Sequence, residues 1–214
     1  MSCAFFYSYR SEGRQACRAA DEGMHIGIET GDAFLYMSCQ YCKAWALLQL
    51  GEWGEALRLT REGLRLSREN GHTTGETVLR LIEARLHLEA QDFARARELA
   101  LETLPMVRPG FPEFVAKIAL GEAEAGLGEP EAAWEAFEDV LRRSREGPFR
   151  LDWIFRFPLH RSLAELALAR GDFGRARDET NRLCELAALP GEQTYLAIGK
   201  SLLARVALAQ GNGD

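Results

Sequence analysis

Leu50-Gly51-Glu52-Trp53-Gly54-Glu55-Ala56-Leu57 reads as the end of one helix, a tight turn and the start of the next. Gly51 accepts the left-handed backbone that stops a helix. Glu52 suits the positive end of a following helix dipole. Ala56, five residues past the glycine, is small and opens a helical stretch. The same arrangement recurs outward in both directions: Ser11 with Ala16, Gln91 with Ala96, Gly128 with Ala133 and Gly171 with Ala176, with a further turn signal at Gly211. Successive turns are 40, 40, 37, 43 and 40 residues apart. A fixed period of this length predicts a repeat array.

Seven residues before each turn stands another small residue: Ala4, Ala44, Ala84, Gly121, Ala164 and Ala204. Helices approach most closely where both carry small side chains, because interaxial distance follows side-chain size. The pair of small residues therefore marks a tight crossing of two helices in each hairpin. Acidic residues follow the turn at Glu52, Asp92, Glu129 and Asp172, then Trp53, Phe93, Pro130 or Phe173. Pro130 fits a first helical turn, where its missing N–H costs nothing. Between turns, apolar residues recur at three- and four-residue steps, as in residues 55–64 and 162–168. Ala, Leu, Arg and Glu are strong helix formers. The expected helices run over 2–9, 12–29, 32–50, 53–69, 75–90, 93–107, 112–127, 130–145, 152–170, 173–188 and 192–210. Longer Gly- or Pro-rich connections fall at 70–75, 105–112, 147–152 and 190–192. No β-branched alternation is long enough to predict a strand.

The segments around Gly51 and Arg170-Gly171-Asp172-Phe173-Gly174-Arg175-Ala176 resemble the tetratricopeptide repeat family. The resemblance runs over essentially the whole chain. It departs from the family in a period near 40 rather than about 34, and in lacking the family's Pro between most repeats. Repeats of this longer kind are similar to the helical domains of large bacterial signalling ATPases and transcriptional activators of the maltose-regulon-activator type. The resemblance implies an all-α, right-handed superhelix of antiparallel hairpins, with residues 1–214 as one repeat domain cut from a longer multidomain chain. It implies a non-enzymatic scaffold that holds a protein segment, a peptide or a small molecule in a regulator or signalling protein. The alternative is self-association, a homodimer pairing through uncapped terminal helices.

The 214 residues carry 26 basic and 32 acidic side chains, a net charge of −6. That balance argues against direct nucleic-acid binding, which favours a basic surface. No apolar run is long enough to span a membrane, and no cleavable leader pattern is present. Five cysteines at irregular spacings suit a reducing cytoplasm. Cys39-Gln40-Tyr41-Cys42 is a C-x-x-C that falls mid-helix with no strand before it, so it reads as two buried packing residues. No nucleotide, hydrolase or metalloprotease motif occurs. No catalytic residue, metal ligand or cofactor is therefore assigned.

In the family that the residues resemble, the first helix of each hairpin lines the groove. Mapped onto this chain, the groove carries Phe5, Tyr9, Tyr41 and Trp45 toward one end, then Arg85, Glu122, Arg161 and Glu165. Aromatic faces beside polar groups suit a partly apolar, partly polar segment. A second aromatic group, Phe149, Trp153, Phe155 and Phe157, lies around the connection that makes one repeat 43 long. Such a group is either a covered core edge or an exposed patch for a partner; the four-residue spacing of Trp153 and Phe157, which places them on one helix face, favours core.

Overall fold

A computed structural model describes residues 12–145, 153–188 and 192–211. Within them the helices are α1 (Gly13–Thr30), α2 (Ala33–Gln49), α3 (Trp53–Glu69), α4 (Thr73–Glu89), α5 (Phe93–Thr103), α6 (Phe111–Gly126), α7 (Pro130–Arg143), α8 (Trp153–Ala169), α9 (Phe173–Ala188) and α10 (Gln193–Ala209). The chain is all-α among the described residues, an array of antiparallel hairpins. The expected helix over 2–9, with Ala4, Phe5 and Tyr9, and the turn at Ser11 lie outside the described residues.

Each tight turn is built the same way. Gly51, Gly128 and Gly171 have φ of 79°, 84° and 75°, and Gln91 takes the same conformation at φ 59°. Around Gly51, its own N–H donates to Leu48 O at 3.1 Å and Glu52 N–H donates to Leu47 O at 3.0 Å. This double bond pattern satisfies carbonyls that a helix end leaves open. It repeats at Gln91, where Asp92 N–H donates to His87 O, and at Gly171, where Asp172 N–H donates to Ala167 O. The next helix starts at once. Asp92 and Asp172 accept from the backbone N–H of Arg95 and Arg175. Glu52 and Glu129 make no side-chain cap, consistent with the shorter Asp side chain being the better cap.

The alanines five past the turns, Ala16, Ala56, Ala96, Ala133 and Ala176, are fully buried. So are Ala44 and Ala84, and Ala164 nearly so. At Gly121 a β-carbon would sit 2.5 Å from the ring of Phe137, so that crossing has no room even for Ala. Ala204 differs: it is exposed on α10, so the expected tight crossing is not formed there among the described residues.

The helices form two compact units, residues 1–108 and 109–214. Helix α5 stops at Thr103, four residues short of expectation, and a 3-10 turn follows over Leu104–Met106. Pro105 explains it, since proline has no N–H to continue the helix. In the first unit, Ala44, Leu47, Ala56, Leu59, Leu79 and Ile82 join α2, α3 and α4 in one core. In the second, Phe114, Phe137, Val140, Phe155, Leu159 and Leu163 join α6, α7 and α8. Phe157, Ala164, Leu183 and Leu202 carry that packing on to α9 and α10. Phe155 and Phe157 are therefore core; Phe149 lies outside the described residues. Within each unit the first helices of the hairpins also pack side by side: α2 on α4, α6 on α8, and α8 on α10. No described helix is long and apolar enough to cross a membrane.

Candidate functional site

The first helices supply the candidate surface. In the first unit, α2 carries Tyr41 and Trp45 one turn apart, where residues four apart share a face. Both are half-buried. Each packs against the core that contains Ala44, Leu47 and Ile82 and keeps part of its surface exposed. Tyr41 also covers Ala20, Cys39 and Cys42. Burial is the main cause that pushes its phenol above the ordinary tyrosine range, so it stays an un-ionised donor at neutral pH. On α4, Arg85 is half-buried and clasps Glu89 of its own helix through Nε at 2.9 Å and Nη2 at 2.6 Å.

In the second unit the expected charges meet one another. Glu122 on α6 accepts from Arg161 Nη2 at 2.8 Å and from Ser162 Oγ at 2.6 Å, both on α8. Arg161 also lies 3.9 Å from Glu165. The Glu122 side chain keeps 11% of its exposure, Arg161 20% and Glu165 45%. Charge-assisted bonds of this kind are strong where water is largely excluded. Glu122 and Arg161 therefore act as a strut between two first helices, and Glu165 is the member most open to a partner. The structure thus pairs Tyr41 with Trp45 in one unit and Glu122, Arg161 and Glu165 in the other. Phe5 and Tyr9 lie outside the described residues.

The C-x-x-C cysteines sit in the core. Cys39 is fully buried and Cys42 nearly so. Burial raises both thiols, Cys42 to about 12. A thiolate is the nucleophile and the metal ligand, and neither residue offers one at neutral pH. Among the described residues no three His, Cys, Asp or Glu side chains are grouped to hold a metal.

A second polar group is absent from the sequence expectations. His160 Nδ1 on α8 meets Glu179 Oε2 on α9 at 2.7 Å, with both side chains at or below 10% exposure. Arg175 donates to Glu179 through Nε at 2.7 Å and to Glu138 on α7 through Nη2 at 2.7 Å. The guanidinium of Arg175 also lies 5.1 Å from the Trp134 ring, and that of Arg170 lies 5.5 Å from it. Burial raises the carboxyl of Glu179, but the bonds from His160 and Arg175 outweigh it and hold it below the ordinary range. One signal in the sequence points here. Eight residues after the turn two other hairpins carry Leu59 and Leu99, both buried, and the remaining two carry Ala19 and Ala136, where this one carries Glu179. A charge at a core position calls for a buried partner.

The tetratricopeptide repeat family profile matches residues 37–62 and 158–180. These two segments run through the turns at Gly51 and Gly171. No curated protein matches the chain. Among solved structures, two crystal structures of the nearly identical TPR-like repeats of a Podosopora anserina putative kinesin light chain, one of them a Gln-to-Met variant, are similar to it. One is 17% identical, with a TM-score of 0.56, covering 88% of this chain and 92% of that one. The other is 16% identical, with a TM-score of 0.55, covering 94% and 92%. The apo form of RapI is similar at 16% identity and a TM-score of 0.60, over 97% of this chain and 61% of RapI. At these identities the shared property is the fold, a TPR-like array of helical hairpins.

Proposed function

We propose that this chain is a non-enzymatic interaction scaffold that holds a protein or peptide segment on its first-helix face. The observation that carries this is the Tyr41–Trp45 pair, two rigid amphipathic side chains half-buried on one face of α2. Aromatic anchors seated in a packed surface dominate binding energy at interfaces. The hairpin fold and the family match support the same reading. In its finer form the chain is the sensor or interaction module of a cytoplasmic bacterial transcriptional regulator or signalling ATPase. A small molecule on the same face is the lesser variant of it.

A peptide-library screen on the purified chain tests the scaffold. Selected peptides should bind Trp45→Ala at least about fivefold more weakly, a loss of roughly 1 kcal/mol. Trp53→Ala is the control, since Trp53 is 44% exposed at the start of a second helix. Peptides that ignore Trp45→Ala, or respond equally to both variants, would sink the proposal.

The second reading is a homodimer through α10. Ala197, Ser201, Ala204 and Leu208 are exposed along one face of that helix. The corresponding positions are buried elsewhere: Met37 and Phe157 for Ala197, Ala44 and Ala164 for Ala204, Leu48 and Leu88 for Leu208. Light scattering across a concentration series should show a dimer that Ala204→Arg dissolves.

A further inference from the structure

A polar side chain eleven residues before the tight turn crosses each of four hairpins. In the hairpin of α2 and α3 it is Gln40, whose Nε2 donates to Leu59 O at 3.4 Å. From α4, Arg80 Nη1 donates to Glu102 of α5 at 2.8 Å. From α6, Lys117 donates to Asp139 of α7. From α8, His160 Nδ1 meets Glu179 Oε2 of α9 at 2.7 Å. Where the first helix carries Arg or Lys at this register, a carboxylate of the second helix answers it. Helix α10 carries Lys200 there, eleven residues before Gly211. Lys200 is exposed and meets no carboxylate among the described residues; its charge acts on the Cys184 thiol of α9.

Charge and shape together specify what fits this face. Helix α10 holds Lys200 and Arg205 and no acidic residue. A second copy set face to face would bring like charges together, which disfavours that pairing. An acidic surface is the complement. The second helices of the array show how a helix meets such a face. They place Ala at the crossing and an acidic residue six positions later, as in Ala96 with Glu102 and Ala133 with Asp139. In α7 the large apolar residues Phe137 and Val140 follow that Ala at four and seven positions, and both are buried. Bulk must come from the partner side here. Ala197 stands where other first helices carry Phe114 and Phe157, and Ser201 where they carry Leu81 and Ile118.

We infer that the exposed face of α10 docks an acidic amphipathic helix of a protein partner. That helix brings a small residue to Ala204, a carboxylate to Lys200, and large apolar side chains to the shallow surface around Ala197, Ser201 and Leu208. The contact repeats, between two molecules, the packing that each hairpin makes within the chain. It does not rest on Tyr41 and Trp45, which belong to the other unit. It competes with the homodimer, because both occupants need the same face.

The test uses a peptide of residues 129–144, which carries the α7 pattern, labelled and titrated by fluorescence anisotropy with the 214-residue chain. Binding should saturate below about 1 mM, since a short helix must also be ordered on docking. Lys200→Glu should weaken it at least about threefold, an attraction turned into a repulsion. The same variant should regain affinity for the peptide carrying Asp139→Lys, which the native chain binds weakly. Ala204→Arg should weaken binding at least about fivefold by blocking the close approach. Both substitutions lie on the exposed face, so far-ultraviolet circular dichroism should be unchanged. Binding that does not saturate by about 1 mM, or that ignores both variants, overturns the proposal. So does light scattering that shows the chain dimeric at the titration concentrations, which gives the face to a second copy. Trp45→Ala should leave peptide binding unchanged, which separates failure here from failure of the scaffold reading.

Discussion

Gln91 holds a left-handed backbone, φ 59°, at a turn where Gly51, Gly128 and Gly171 hold the same one. A residue with a β-carbon pays roughly 1–2 kcal/mol in that conformation, whereas glycine adopts it freely. Glycine also loses more chain entropy on folding. The net expectation is that Gln91→Gly stabilises the protein by about 0.5–1 kcal/mol, read as a higher urea midpoint; a lower midpoint would refute the strain. At Ala56 the expectation reverses. It is fully buried against Ala44, Leu47 and Leu59, so Ala56→Leu should cost roughly 1–3 kcal/mol by overpacking. An unchanged thermal midpoint would refute the crossing. Both positions were legible in the sequence, because turn and alanine recur at one spacing. The His160–Glu179 pair was not: a histidine alone carries no motif, and its partner lies 19 residues away on another helix. Only the register, which puts Glu179 where Leu59 and Leu99 stand, could have exposed it.

Helices show where periodicity stops being informative. Most boundaries match expectation within a residue or two, since Gly and Asp mark them chemically. The exceptions have local causes, such as Pro105 closing α5 early. What periodicity could not tell is which helix faces are covered. Helix α10 has the same small-residue spacing as the other first helices, yet only one side of it is packed. Leu202 is buried and Leu208 is 67% exposed. Leu202→Ala should therefore destabilise by about 2–5 kcal/mol, while Leu208→Gln should stay within about 0.5 kcal/mol. Denaturant titration of the two variants checks this; equal costs would mean that Leu208 is covered in solution. The aromatic groove is likewise only half legible. Spacing places Tyr41 and Trp45 on one face, but the mutual pairing of Glu122 with Arg161 depends on how two first helices lie together.

Across the whole molecule, ion pairs tie first helices to second helices, and this sets the response to acid. Lys43 reaches Asp21, Arg80 reaches Glu102, and Arg143 reaches Glu113. The bond from Arg143 holds Glu113 below the ordinary carboxylate range, and that from Arg68 does the same for Glu76. Glu179 joins them despite its burial. A carboxyl depressed in the folded state contributes stability above its unfolded value and loses it as pH falls through the folded one. The urea midpoint should thus be nearly flat from about pH 7 to about pH 5 and fall below about pH 4.3, the ordinary glutamate value. Glu113→Gln should lower the midpoint at neutral pH and make the acid fall shallower. A midpoint that holds steady down to about pH 3 would contradict this. The hairpin tips have a different consequence. A β-carbon at Gly51, Gly128 or Gly171 would meet nothing within 4 Å. Those tips are natural splice points: a short flexible epitope inserted there would project into open water and label one chosen repeat while leaving its helices in register.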